Sequence, residues 1–210
     1  MLFRSAVDPG PRVLVGEVMY AGHFKTRTRV LEKEMTFRPG EVFQMSRIHE
    51  SRRRLMDLQA LDSGRVKAGG LRNREERVDG LVEVAEKKPY VFEAGIGYDT
   101  ERHAYVNTRI RDRNFRGQNL SLQTEAEISR IGYKANASLT DPRFLSSSVK
   151  SITRIYSEDR EEFNKDFGIL THGASQDFSR SFLDGRLMAN LGFVYEFREQ
   201  YLSGDRKSVV

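Results

Sequence analysis

From residue 90 to residue 197 the chain is a succession of segments in which apolar and polar residues take alternate positions, separated by short stretches rich in Asp, Asn, Gly or charge. The clearest begins at Leu120: Leu120, Leu122, Thr124, Ala126 and Ile128 fill every second position, and Ser121, Gln123, Glu125, Glu127 and Ser129 fill the gaps. A period of two is that of a β-strand, whose successive side chains project to opposite faces. One face of such a strand suits lipid and the other suits water. The pattern predicts strands at 90–99, 104–111, 118–129, 131–140, 148–157, 164–172 and 186–197. Most have the roughly 9–11 residues that a tilted strand needs to cross a bilayer. The last sets Leu187, Ala189, Leu191, Phe193, Tyr195 and Phe197 against Arg186, Asn190, Glu196 and Arg198. A short link at Arg130 and a longer charged one at 158–162 suit a barrel with tight turns at one rim and longer loops at the other.

Before Lys87-Lys88-Pro89 the periodicity is mixed. A strand is predicted at 12–20, helices at 26–35 and 46–61, and strands at 65–71 and 78–85, which makes a β-α-α-β-β unit. Thr26 and Ser46 stand where N-caps are expected, and Pro39-Gly40 separates the helices. In the second helix Ile48, Leu55 and Leu58 share one side while Arg47, Glu50, Arg54 and Asp57 share the other. Gly64 is expected to end that helical stretch.

Composition narrows the classes. A hydrophobic fraction of 38% is modest for one large soluble core in 210 residues, but a barrel needs no such core. A transmembrane helix is excluded by the absence of any run of about 18 apolar residues. Alternation halves the apparent hydropathy of a membrane strand, so a mean hydropathy of −0.59 leaves that route open. The chain has no Cys, which removes disulfides and thiolate chemistry. Its net charge of +5 raises nucleic acid as a partner, but 35 basic residues are interleaved with 30 acidic ones. The densest run, Arg52-Arg53-Arg54, belongs to the polar side of a helix. No nucleic-acid partner is expected. Segments 1–11 and 203–210 fit neither pattern, and truncation at both ends is expected.

Particular residues carry a resemblance. Gly22, Thr26, Val30, Leu31, Glu34, Met35, Pro39, Gly40 and Phe43, the run from Glu50 to Leu58, and Val82-Glu-Val-Ala-Glu86 resemble a POTRA domain over 12–88. His23, Gln59 and Leu61 depart from its usual Asn, Gly and Phe. Phe92-Glu-Ala-Gly-Ile-Gly-Tyr-Asp-Thr100, Asn114-Phe-Arg-Gly-Gln-Asn-Leu120 and Asp141-Pro-Arg-Phe144 then follow, similar to the first strand, a turn and a corner of the BamA/TamA family barrel. The resemblance implies an α+β POTRA domain followed, over 89–202, by about seven antiparallel transmembrane strands of an incomplete barrel. It implies a Gram-negative outer-membrane location with the POTRA domain in the periplasm. It also implies insertion or translocation of unfolded outer-membrane protein clients, outer-membrane lipid around the barrel, and accessory assembly proteins. Alternatives from the same lineage are a patatin-like lipase carried ahead of the POTRA domain and a two-partner secretion pore.

No chemistry of another kind competes. Gly173-Ala-Ser-Gln-Asp177 lacks the second Gly of a hydrolase elbow and is expected in a turn. Gly95-Ile-Gly97 has no third Gly or following helix to bind a dinucleotide. His23, His49, His103 and His172 are scattered without metal-ligand spacing. Asp99, Asp112, Asp141 and Asp159 are expected in turns. Neither enzyme nor cofactor is expected. What remains is backbone pairing, in which an unpaired strand edge offers N–H and C=O groups to an incoming strand. The candidate edges are the POTRA strand with Arg65, Val66, Lys67, Ala68 and Gly69, which reads equally as a solvated edge blunted by Arg65 and Lys67, and the first barrel strand with Phe92, Gly95, Gly97 and Tyr98. The two glycines of the latter are expected either to loosen a seam or to kink the strand.

Overall fold

A computed structural model describes residues 12–70, 76–146, 148–161, 167–183 and 186–202, and the chain divides into two compact units between Lys87 and Lys88. In the first unit β1 (Leu14–Ala21), α1 (Thr28–Glu34), α2 (Met45–Met56), β2 (Leu61–Gly69) and β3 (Arg77–Glu86) follow in the expected order. The sheet order is β1-β3-β2, with β1 parallel and β2 antiparallel to the central β3. Val78, Val82 and Val84 alternate along β3 on one buried face. Against them and their neighbours pack Leu31 of α1, Ile48 and Leu55 of α2, the connecting Phe37 and Leu58, and Leu61 at the start of β2. One bulge interrupts β1 between Val15 and Val18, and Asp79 Oδ1 accepts the displaced Glu17 N–H at 2.9 Å.

Three sequence expectations change. The residue preceding α1 is Arg27, with no capping side chain, and Thr26 is buried with its N–H directed to Glu86. An ionised acceptor at the end of β3 has captured the loop that a local cap was expected to hold. Likewise α2 starts at Met45 after Gln44, leaving Ser46 within the first turn. The helix ends at Met56, and Gly64 lies inside β2, where Leu55 Cβ would approach an added methyl to 3.3 Å. Its missing side chain makes room for the helix rather than ending it. Leu71, expected to close this strand, lies outside the described residues.

Glu86 organises the loop between β1 and α1. Its carboxylate accepts the Thr26 N–H at 2.6 Å and the Lys25 N–H at 3.0 Å, and the Phe24 N–H also donates to it. Partial burial pushes its pKa up, but the Thr26 hydroxyl and the three backbone N–H groups together outweigh this and hold it below the ordinary glutamate value. Gly22 enters the loop at φ +86°, and a Cβ there would lie 2.0 Å from the Val84 carbonyl oxygen.

The second unit is one antiparallel sheet of order β10-β9-β8-β7-β6-β5-β4. Its strands are β4 (Tyr90–Asp99), β5 (His103–Phe115), β6 (Leu120–Ser129), β7 (Gly132–Asp141), β8 (Val149–Glu161), β9 (Phe167–Phe182) and β10 (Leu187–Leu202). All seven predicted strands have a counterpart, several longer than their hydrophobic alternation suggested; residues 162–166, which include the expected start of the sixth, lie outside the described residues. Glu158 to Glu161, expected in a charged loop, extend β8, and Gly173 to Asp177, expected in a turn, lie inside β9. Charge density misleads there because a strand with one polar face carries charge without leaving the sheet. Asp159 is likewise no turn residue but a buried acceptor of the Tyr201 hydroxyl. Asp99, Asp112 and Asp141 do accept backbone N–H groups two or three residues on.

The faces of this sheet differ sharply. One exposes Phe92, Ile96, Val106, Ile110, Ile128, Ile155, Phe193, Tyr195 and Phe197. Left in water, each large apolar side chain forgoes about 1.5–3 kcal/mol. A contiguous face of this kind marks contact with lipid or another apolar surface. On the opposite face one register row crosses all seven strands through Glu93, Arg109, Glu125, Asn136, Tyr156, Gly173 and Glu196. Arg109 bridges Glu93 at 2.8 Å and Glu125 at 2.6 Å, and Asn136 donates to Glu125 at 3.1 Å. The Tyr156 hydroxyl continues the row by donating to Glu196.

Two predictions follow from these contacts. Glu86→Gln should cost about 1 kcal/mol in urea unfolding of the POTRA unit, below the usual range for charge-assisted hydrogen bonds because water still reaches the carboxylate. Since folding lowers this pKa, the contribution is full above the ordinary glutamate value and is lost as pH falls through the depressed one. Wild type and variant should therefore converge in acid, and an unchanged gap would show that ionisation is irrelevant. On the strand face, Arg109→Glu should lower the urea midpoint more than Arg109→Gln by setting three carboxylates in line. Adding Glu93→Arg should recover part of the difference.

Candidate functional site: two strand edges

An open sheet of three strands has two outer edges, and in the mixed sheet of the first unit they are not equivalent. The outer edge of β1 is occupied: Val15 N–H donates to Glu41 O at 2.8 Å, Gly40 N–H to Val15 O at 2.8 Å, and Phe43 N–H to Val13 O at 2.9 Å. A bridge pairs Leu14 with Val42. Among the described residues no backbone hydrogen bond crosses the outer edge of β2 between Asp62 and Gly69. This strand contains all five POTRA residues singled out in the sequence. Val66 packs against the core while Arg65, Lys67 and Gly69 are exposed, and Ala68 is half-buried. Lysine on an edge strand commonly blocks pairing. Lys67 instead turns inward across the sheet to Glu83, 2.7 Å away on β3.

In the second unit β4 and β10 are the terminal strands, and β4 contains the other four candidates. Phe92 and Tyr98 stand exposed on the apolar face. Gly95 and Gly97 lie on the polar face, and pairing with β5 runs through both without a register shift. Neither kinks the strand. A Cβ on Gly97 would lie 2.3 Å from Tyr105 Cζ, and one on Gly95 2.4 Å from Asn107 Oδ1. Each glycine is the seat of a β5 side chain that lies across β4. The Arg102 guanidinium covers the Tyr105 ring at 3.9 Å and is held by Asp99 at 2.7 Å and Glu127 at 2.9 Å. The two candidate groups thus occupy different units, each as one stretch of a terminal strand.

The same seating recurs at two glycines that local patterning does not mark. Tyr156 of β8 crosses Gly173 of β9 to reach Glu196 of β10 on the polar face. Tyr201 of β10 crosses Gly168 of β9 to reach Asp159 of β8 at 2.5 Å on the other face. These glycine–tyrosine pairs are 17 or 33 residues apart in sequence, so only the cross-strand register brings them together. Among the described residues no group of three or more His, Asp or Glu is arranged to hold a metal ion, and no helix is long and apolar enough to cross a membrane.

Comparison with known proteins agrees with this division. Residues 13–87 match the family model of the POTRA domain, the surface antigen variable number repeat. Over 143 residues, 68% of the chain, it is 22% identical to the outer membrane protein assembly factor BamA of Neisseria meningitidis serogroup B, and over 135 residues, 63% of the chain, 28% identical to that of Nitratidesulfovibrio vulgaris. The matched regions are 18% and 17% of those relatives' lengths. The solved structure of Haemophilus ducreyi BamA lacking POTRA domains 1–3 superposes with a TM-score of 0.74 at 22% identity, covering 93% of this chain and 37% of the other. CdiB from Acinetobacter baumannii superposes at 0.56 and 12% identity, covering 91% and 39%. The chain is thus similar to BamA over a POTRA domain and the seven antiparallel strands that follow it, and those elements share the fold of the solved BamA structure.

Proposed function

We propose that the chain serves in the assembly or translocation of outer-membrane proteins, and that it acts by lending strand edges to unfolded clients. The POTRA domain would stand in the periplasm of a Gram-negative cell and β4 to β10 would lie in the outer membrane, apolar face to lipid. The observation that carries the reading is the outer edge of β2, which has no backbone partner among the described residues and whose edge lysine is drawn away by Glu83. An extended client segment gains main-chain hydrogen bonds on such an edge whatever its sequence, and alternate side chains add selectivity. A carrier of many clients needs that combination. β4 is the second edge in this reading, with Phe92 and Tyr98 toward lipid and the Gly95–Gly97 seats toward the polar interior.

Nothing in this mechanism calls for a catalytic residue, a nucleotide or a metal. Accessory assembly proteins belong to the same proposal. A two-partner secretion pore is the second reading, and the likeness to CdiB supports it at the level of fold. The higher TM-score with BamA, 0.74 against 0.56, favours assembly.

The chain has no Cys, so single cysteines report edge occupancy directly. With client strands carrying one cysteine at successive positions, Lys67→Cys and Phe92→Cys should trap the client as disulfides at every second position. Arg53→Cys, exposed on α2, should trap little. Equal trapping at all three sites, or none at either edge, would rule strand pairing out.

A further inference from the structure

Three tyrosines of the second unit lie across glycines of the neighbouring strand, and their settings agree closely. A Cβ on Gly97, Gly168 or Gly173 would lie 2.3 Å from Cζ of Tyr105, Tyr201 or Tyr156 respectively. Tyr156 and Tyr201 each pass over the middle strand of three and donate to a carboxylate on the far one. Glu196 stands directly opposite Gly173, and Asp159 stands two residues from Glu161, the position opposite Gly168. Tyr105 starts from β5 and passes over β4, which is terminal. Among the described residues its hydroxyl has no hydrogen-bond partner, and no backbone hydrogen bond reaches the outer edge of β4. The far strand of this third arrangement is the one that β4 does not have.

The ring is held in place before any strand arrives. Arg102 covers it at 3.9 Å and is itself fixed by Asp99 and Glu127. Asn107 lies over Gly95, and beyond it Arg109 reaches Glu93. Side chains of β5 thus overhang the polar face of β4, and a strand added to the edge meets them as well as the β4 backbone. The nearest acid on β4, Asp99, is taken up by the Arg102 guanidinium and by the N–H groups of Glu101 and Arg102. It does not serve the Tyr105 hydroxyl. Both tyrosines that do have a far partner hold a carboxylate, the acceptor that gives the stronger, charge-assisted bond.

We infer that Tyr105 is a specificity-determining residue of the β4 edge: it selects strands that carry a carboxylate on their polar face, directly opposite Gly97 or two residues from that position. This selection rests on the reading of β4 as an edge for client strands and adds a side-chain requirement to main-chain pairing, which is indifferent to sequence. The same contact would set the register, because a slip of one residue turns the acid to the apolar face.

Synthetic strands of alternating Leu and Thr test it, each with one cysteine at an apolar-face position and with Glu, or Gln in its place, at each Thr position in turn. The full chain carrying Phe92→Cys, which has no other cysteine, would be folded in detergent micelles. The yield of its disulfide with each peptide would be measured at equilibrium in a glutathione buffer, the bond at position 92 fixing which peptide residue lies opposite Gly97. With Tyr105 present, the Glu peptide should be trapped about tenfold better than the Gln peptide, only at the position opposite Gly97 or two residues from it. Tyr105→Phe should bring the two peptides to equal yield. Tyr156→Phe, which removes a hydroxyl from a seat inside the sheet, should keep the difference. Four results overturn the inference while leaving pairing at β4 standing: equal trapping of Glu and Gln peptides, a Glu preference at every position, a preference that survives Tyr105→Phe, or one that Tyr156→Phe also abolishes. Absence of trapping by any peptide overturns the reading of β4 as an edge for clients, and the inference with it.

Discussion

Because side chains on a strand alternate, sliding one strand by a single residue against its neighbour exchanges every inward and outward group. The second unit depends on preventing that slip. Against a slip of two residues, which leaves every group on its own face, the apolar side offers little discrimination, since Ile, Phe and Ala meet lipid equally well there. The polar face discriminates, because Glu93, Arg109 and Glu125 meet in one row and Arg111 meets Gln123 at 2.6 Å in the next. Insertion energy and pairing specificity therefore reside on opposite sides of the same sheet.

The POTRA unit solves a different problem with one acid. A seven-residue α1 is short for a helix of independent stability, and its first turn lacks both a capping side chain and an acidic residue. What positions it is tertiary: Leu31 sealed in the core and Glu86 holding the loop that leads in. The same carboxylate closes the last strand before the chain leaves the unit, so entry to the helix and exit from the domain share one fixed point.

Much of this was legible in the residues. Alternation at Leu120 to Ser129 and Leu187 to Phe197 marked strands because a half-buried strand leaves a period-two trace. The helical side of Ile48 and Leu55 marked the layer over the POTRA sheet for the analogous reason. Both candidate groups lie on strands that are terminal in their sheets. Long-range partners were not legible. Thr26 has the composition of a cap, and nothing nearby in sequence reveals that Glu86, 60 residues on, is its acceptor. Gly64, Gly95 and Gly97 read as breaks or bends because glycine is a local signal, whereas each makes space for a side chain from another element. The strand ends at Glu158 to Glu161 were lost to the reading because charge resembles a loop until its face is known.

The two tyrosines that cross β9 have a consequence for how such a sheet assembles. If strands joined only to their neighbours, the free energy of the sheet would be a sum of separate steps, and each strand could fray or add by itself. Tyr156 and Tyr201 instead connect β8 to β10, passing β9 on opposite faces over Gly173 and Gly168. A growing sheet receives these contacts only when the third strand arrives, so β8, β9 and β10 form a cooperative triplet in which the middle strand is clasped last and released first only with a partner.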